Sequence, residues 1–259
     1  MDEIVYKNQI THLLLLSLEI AARDVKVDSH FEENYRKYLK FDSVNSWKQF
    51  RGSVDVINDT DLAIHSFCRY QLSAVQNQGF DFGEKYLRLY GVLNAVYLQI
   101  YAYDEICKLL KLTSRKKDIG DLKNLLVYEL RNKVGAHTTN YFYSNSEYKP
   151  EGKRRTSYRV SQMNLEKFGR VSILDEYGGY NDYDLLECVL EYEQKSRIVL
   201  EKLINCMIDS IVYKKTDKIE IKMRMDELLP RLVDYSTVDE NKKYSSEMIE
   251  RINKELGEG

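Results

Sequence analysis

The sequence predicts a mostly helical protein, an all-α bundle that carries one small β-hairpin insertion. Apolar residues recur at steps of three and four over several long stretches, which is typical of amphipathic helices. Only two prolines and twelve glycines occur among the 259 residues, and such numbers are low for an all-β chain with many tight turns. Hydrophobic residues make up 43% of the chain and charged residues 31%, so a core can form beneath a well-solvated surface.

The clearest periodicity predicts a long helix over residues 84–111, whose apolar residues share one face for several turns. These residues are Tyr86, Leu89, Leu93, Val96, Ile100, Tyr103, Cys107 and Leu110. Gly91, Ala95 and Ala102 are small enough to let a second helix approach closely. The face is interpreted as the centre of the core or as a dimer interface, and we expect an antiparallel partner helix over 183–213.

Weaker patterns predict the remaining elements. An amphipathic helix is expected within residues 4–22, and two or three shorter helices within 28–78, the last of them capped by Asn58 or Asp59. Residues 111–120 are interpreted as a charged connector before a second core helix over 122–134, which Gly135 can end or loosen. The alternation of apolar and charged residues over 219–225 favours a strand, with a helix as the alternative, and Ser245 is placed to cap a last helix that runs through Leu256.

Residues 138–182 differ in character, being rich in tyrosine, serine, glycine and asparagine. Tyr158, Val160 and Gln162 alternate in a way that lets them pair with Val171 and Ile173 across a turn near 167–169, which predicts the β-hairpin. No internal repeat or linker divides the chain. We therefore expect a single domain over residues 1–259, with 138–182 as an insertion within it.

Composition excludes several classes of protein. The net charge of −2 gives no overall attraction for nucleic acid or membrane, so a polyanion site must be a local basic patch. No apolar run is long enough to span a bilayer and no secretory signal is recognised, so a cytoplasmic protein is expected. The four cysteines form no CxxC pair, which favours free thiols over a zinc site. No phosphate loop or metal-binding helix motif is present, and no cofactor is expected.

The segment with the clearest candidate catalytic residues lies at the end of the second core helix and contains Arg131, Asn132 and His137. An imidazole can move a proton near neutral pH, and a guanidinium can stabilise a crowded, doubly charged phosphorane with parallel hydrogen bonds. Asn132 can orient either group. RNA can be cleaved in this way without metal, because its own 2′-hydroxyl attacks the phosphorus. The alternative is structural, with Arg131 paired to a surface carboxylate and His137 at the helix C-terminus.

The phrase LRNKVGAH, preceded by the helical phrase YLRLYGVLNAVYLQI, resembles the HEPN superfamily over about residues 80–213. The hallmark of that superfamily is an arginine followed by a polar residue and, after four to six positions, a histidine; here five residues intervene. The resemblance implies a helical domain that dimerises and brings two such motifs together. It also implies a metal-independent ribonuclease of the toxin–antitoxin, anti-phage or RNA-processing type, with Arg131, Asn132 and His137 as catalytic residues. A tyrosine that some members carry two positions after the histidine is replaced by Thr139.

Basic and aromatic residues are concentrated just after this motif, where they could bind single-stranded RNA. The predicted RNA-binding residues are Lys153, Arg154, Arg155, Arg159, Tyr141 and Tyr143, with Tyr158 among the further aromatic residues of the stretch. The alternative is a solvated loop.

The sequence thus favours a homodimeric endoribonuclease that cleaves RNA by attack of the 2′-hydroxyl, with an antitoxin as a further partner. A catalytically silent HEPN module that binds RNA or a partner protein is the first alternative. A helical scaffold in which the motif is coincidental is the second.

Overall fold

The computed structural model describes residues 4–24, 30–72, 82–135, 157–162, 165, 169–210, 214–228 and 232–233. Helix accounts for 77% of this structure, which has eight α-helices and a small three-stranded antiparallel sheet in its described part. The predicted fold class, mostly helical with a small β-hairpin, is confirmed. None of the described helices is both long and apolar enough to cross a membrane.

The helices follow one another along the chain with few interruptions. Their bounds are α1 (Gln9–Asp24), α2 (Phe31–Tyr38), α3 (Val44–Tyr70), α4 (Phe82–Leu109), α5 (Arg115–Lys123), α6 (Leu126–Gly135), α7 (Leu185–Ser210) and α8 (Lys215–Asp226). A short parallel pair joins β1 (Ile4–Val5) to β5 (Leu232–Val233). The antiparallel sheet consists of β2 (Tyr158–Val160), β3 (Arg170–Asp175) and β4 (Tyr180–Asp184), in that order.

The chain divides into two compact units. Unit 1 comprises Met1–Leu62, Leu98–Leu122 and Gln194–Tyr235, and unit 2 comprises Ala63–Tyr97, Lys123–Glu193 and Ser236–Gly259. Helices α3, α4 and α7 contribute residues to both units. Arg131, Asn132 and the antiparallel sheet belong to unit 2.

The long periodic face of α4 is buried within the single chain. Leu89, Val96, Ile100 and Cys107 have no exposed surface, and Leu93 is 1% exposed. Of the two interpretations given to this face, the core is therefore correct, and the face is not available to a second copy. Gly91 lies on the exposed side of α4, and none of the described residues of the chain approaches it closely.

Where two or three shorter helices were predicted within residues 28–78, the described part of the chain has two, the short α2 and the much longer α3. Ser43 caps its start by accepting a hydrogen bond from the backbone amide of Ser46 at 3.0 Å. Trp47, Phe50 and further apolar residues at steps of three and four then continue one buried face as far as Cys68. The prediction of a cap at Asn58 or Asp59 was wrong, because both residues lie inside the helix.

Two more predictions in the helical part need correction. Residues 219–225 belong to helix α8 and not to a strand, since Ile221 and Met225, four apart, are buried whereas Ile219 and Met223 are exposed. The expected connector over 111–120 and the helix that follows it are in fact two helices, α5 and α6, with a break at Asn124 and Leu125. Asn124 is a poor helix former. Helix α6 is described as far as Gly135, and the effect predicted for this glycine depends on residues outside the described ones.

The predicted hairpin is present, and a third strand extends it. Val160 pairs with Ile173 and Tyr158 pairs with Asp175, while β4 adds to the other edge of β3. The turn between β3 and β4 contains Gly178 with φ of 83°, a conformation that suits glycine. Most of the insertion before β2, and the predicted helix from Ser245, lie outside the described residues.

Candidate functional site

The candidate site is built on α6, whose apolar residues anchor it in unit 2. Val127 and Leu130 are completely buried and Val134 is 3% exposed. These residues recur at steps of three and four and therefore fix one face of the helix against the core. Arg131 and Asn132 follow Leu130 directly, so they fall on the flank of this face and are half-buried.

The guanidinium of Arg131 lies on an aromatic ring. Its Cζ atom is 3.7 Å from the centroid of the Tyr97 ring on α4, a close cation–π contact. The Tyr97 ring in turn stacks with Tyr128, one turn before Arg131 on α6, at a centroid distance of 5.9 Å and an interplanar angle of 15°. The two tyrosines hold the cation in a fixed place, which reduces the entropy that it would lose on binding a ligand.

The hydrogen-bonding capacity of Arg131 is largely unused. Its Nη1 donates to Asn132 Oδ1 at 3.3 Å. Its Nε is buried and has no hydrogen-bond acceptor in the part of the chain that the structure describes. Among the described residues no carboxylate forms an ion pair with Arg131, so the structural alternative of a surface ion pair finds no support in this part of the chain. A guanidinium with unused donors is suited to an incoming anion.

Lys133 lies on the same helix as Arg131, but its ammonium is surrounded by partners. It is 5% exposed, forms an ion pair with Glu129 and donates a hydrogen bond to the Tyr183 hydroxyl at 3.0 Å. Its ammonium also faces the rings of Tyr158 and Tyr183, at 5.3 and 5.6 Å from their centroids. Burial lowers the pKa of Lys133, but the hydrogen bonds with Glu129 and Tyr183 outweigh burial and raise it overall.

This contact joins α6 to the antiparallel sheet, because Tyr158 lies on β2 and Tyr183 on β4. Sequence reasoning did not single out Lys133. The spacing of Glu129 and Lys133, four residues apart on a helix, was the only local signal for the ion pair. Tyr158 was predicted to face RNA, and that expectation was wrong, since the residue is 6% exposed and packs beneath the sheet.

Of the other predicted site residues, Arg159 alone can be located. It is exposed on β2, paired in register with Leu174 on β3. Arg170, at the start of β3, is exposed as well. The remaining predicted site residues, His137, Tyr141, Tyr143, Lys153, Arg154 and Arg155, lie outside the described residues. The distance between Arg131 and His137 therefore stays a prediction.

The cysteines offer no activated nucleophile. Burial raises the pKa of the Cys107 thiol to about 12 and that of Cys188 to about 11, so both are protonated near neutral pH. Cys68 is also buried and Cys206 is half-buried, and all four thiols are free. Within the described ranges, no group of three or more His, Cys, Asp or Glu side chains is arranged to hold a metal ion.

Comparison with protein-family models, curated proteins and solved structures found no match to this chain. The resemblance to the HEPN superfamily accordingly depends on the sequence segment around Arg131 and on the helices that flank it.

Proposed function

We propose that the protein is a metal-independent endoribonuclease of the HEPN type that cleaves single-stranded RNA. The observation that supports this most directly is the arrangement of Arg131, a cation stacked on Tyr97 with a buried Nε donor that has no acceptor among the described residues. A guanidinium in that state binds a phosphate without first breaking an ion pair. The residue is also the arginine of the motif that the sequence suggested independently.

The proposed reaction is an internal transesterification. The 2′-hydroxyl of the substrate attacks the adjacent phosphorus, the bond to the 5′-oxygen of the next nucleotide breaks, and a 2′,3′-cyclic phosphate and a 5′-hydroxyl result. His137 takes the proton of the 2′-hydroxyl or gives one to the departing oxygen. Arg131 stabilises the charge that builds up on the phosphorane oxygens, and Asn132 orients its guanidinium.

One histidine in each motif is too few for separate acid and base roles. We therefore propose a homodimer in which the motifs of both subunits contribute to cleavage, acting in the cytoplasm as a toxin or defence protein with an antitoxin as a further partner. Light scattering should return twice the chain mass of 30.6 kDa. A monomer at working concentration would contradict the paired arrangement.

The chemical test compares two RNAs of the same sequence, one unmodified and one with 2′-O-methyl groups throughout. Cleavage of the unmodified RNA should persist in EDTA and yield cyclic-phosphate ends, while the methylated RNA should stay intact because it has no nucleophile. Cutting of the methylated RNA would exclude the mechanism. RNA binding without any cleavage would instead favour the catalytically silent module.

A further inference from the structure

Unit 2 contains a row of tyrosines on α4 that leads to Arg131. At about 100° per residue, Tyr86, Tyr90 and Tyr97 lie within about 40° of one another around the helix axis. The row extends roughly 16 Å along the helix, at about 1.5 Å per residue. All three side chains are half-buried and lie between the buried face of α4 and its exposed side.

The rings are arranged as two stacked pairs. Tyr86 and Tyr90 lie with ring centroids 5.9 Å apart and planes inclined by 23°. Tyr97 forms the second pair with Tyr128 of α6, and the Arg131 guanidinium covers Tyr97 at 3.7 Å. Beside the row, Asn94 is exposed, so solvent reaches the surface of α4 at this point.

The charges around the row are nearly all neutralised by partners. Residues 82–97 of α4 and all of α6 contain only two carboxylates, Glu84 and Glu129. Glu84 is paired with Arg88 at 2.9 Å, and Glu129 is paired with Lys133. A third cation, Lys85, is buried and donates to the Leu165 carbonyl oxygen at 2.8 Å.

Arg131 is therefore the one cation on these two segments that has neither a carboxylate nor a carbonyl partner among the described residues. Aromatic faces in a row with a single unsatisfied guanidinium match the chemistry of a single-stranded nucleic acid, whose bases stack and whose phosphates are anionic. An acidic or apolar peptide would use either the cation or the rings, but not both.

We propose that the tyrosine row on α4 is the base-stacking track for the RNA strand, with bases stacked on Tyr86 and Tyr90 and the phosphate held at Arg131. The inference rests on the proposed function, since it takes RNA as the substrate. It adds a second RNA contact surface on α4, distinct from the basic stretch after the motif. Tyr86 and Tyr90 contribute to RNA affinity and do not take part in the chemical step.

The test measures binding of two fluorescent single strands by anisotropy. The first is a short 2′-O-methyl RNA, which cannot be cleaved through its 2′-hydroxyl, and the second is the same backbone with abasic residues in place of the bases. The variants are Tyr86→Leu with Tyr90→Leu, and Tyr86→Phe with Tyr90→Phe, which keeps the rings. Tyr177→Leu is the matched control, because Tyr177 is 66% exposed in the β3–β4 turn of the same unit.

The leucine double variant should raise the Kd for the base-containing strand at least tenfold, since each base–aromatic stack accounts for roughly 5- to 150-fold in affinity. The phenylalanine pair and Tyr177→Leu should leave that Kd within about twofold. Binding of the abasic strand should be unchanged by the leucine pair but weakened by Arg131→Gln. If circular dichroism shows the double variant to be unfolded, Tyr86→Leu alone replaces it, with an expected loss of about fivefold.

An unchanged Kd for the base-containing strand in the leucine variant would overturn the proposal, as would an equal loss for the abasic strand or for Tyr177→Leu. The proposal would also be overturned if the wild-type protein bound neither of the two strands. Cleavage is scored separately on unmodified RNA. Binding that depends on the tyrosines but is not followed by cleavage would support the base-stacking track and refute the proposed nuclease. Cleavage together with binding that does not depend on the tyrosines would support the nuclease and refute the track.

Discussion

The two cations of α6 have contrasting surroundings although they stand only two residues apart. Lys133 is buried against the sheet, where Glu129, Tyr158 and Tyr183 surround it with an ion pair, a hydrogen bond and two ring faces. Arg131, on another side of the helix, has a tyrosine ring and one long hydrogen bond to its neighbour. Within the described ranges, Lys133 has a carboxylate partner and Arg131 has none.

This difference separates a structural cation, Lys133, from the cation that we propose to be functional, Arg131. A buried charge must be paired, since an unpaired one costs several kcal/mol, and Lys133 meets that condition completely. Arg131 is only half-buried, so solvent can reach part of its guanidinium while its Nε stays unsatisfied. The comparison therefore predicts that substitutions at the two positions affect different properties of the protein.

The largest expected effect is on catalysis at the motif. Arg131→Ala should lower the rate of RNA cleavage by about 10²–10³-fold, because the phosphorane loses its guanidinium. His137→Ala should cost about 10²–10⁴-fold if the imidazole moves a proton in the transition state. Single-turnover assays with labelled RNA measure both rates.

Arg131→Lys is the control for charge alone, since it keeps the cation but lacks the planar fork that binds two phosphate oxygens. It should recover only a small part of the lost activity. The melting temperature of each variant should stay close to that of the wild type. A variant at Arg131 with normal cleavage would mean that the unsatisfied cation has no part in the reaction.

The next effect concerns stability at the other cation. Lys133→Met keeps an unbranched side chain but removes the ion pair and the hydrogen bond to Tyr183, and it should lower the free energy of unfolding by about 2 kcal/mol. Urea unfolding followed by circular dichroism measures the change. Any folded fraction should still bind RNA through Arg131. A Lys133→Met protein of wild-type stability would show that the contact between α6 and the sheet is not important for folding.

Sequence patterns could predict the parts of this contrast that depend on local spacing. The buried face of α4 and the hairpin of β2 and β3 were predicted correctly, because each depends on a periodicity within one segment. A strand was favoured over helix α8 because four apolar residues are spaced by two. The same spacing places Ile221 and Met225 four residues apart, and a helix can bury such a pair together. The third strand has few apolar residues and gains its order from pairing with β3.

The surroundings of the candidate site could not be predicted from such patterns. Arg131 meets Tyr97, a residue on another helix, and Lys133 meets Tyr183, fifty positions away. Both contacts depend on how α4 and the sheet pack around α6, and no local spacing encodes that packing. The motif pointed to Arg131 as a candidate, but only the packing shows that this cation has no carboxylate partner among the described residues.

A smaller effect should appear in the pH dependence of stability. The folded-state pKa of Lys133 lies above its ordinary value, so the ion pair contributes fully below the unfolded pKa of roughly 10.4 and its contribution falls as pH rises beyond it. The difference in unfolding free energy between wild type and Lys133→Met should be constant from about pH 7 to pH 10 and then decrease. Urea midpoints of the two proteins at each pH give this difference, and a difference that grows above pH 10 would contradict the assigned ion pair.

The smallest expected effect is at Arg159, which extends the comparison to an exposed cation on β2. Because no ion pair holds it among the described residues, Arg159→Gln should change the free energy of unfolding by less than about 0.5 kcal/mol. If Arg159 contacts one phosphate of a single strand, the substitution should lower the slope of log Kd against log salt by roughly 0.7, the value for release of one counterion. Anisotropy titrations of the 2′-O-methyl strand at several salt concentrations give the slope. Unchanged slope together with unchanged affinity would remove Arg159 from the RNA-binding surface and leave the tyrosine row and Arg131 as the described contacts.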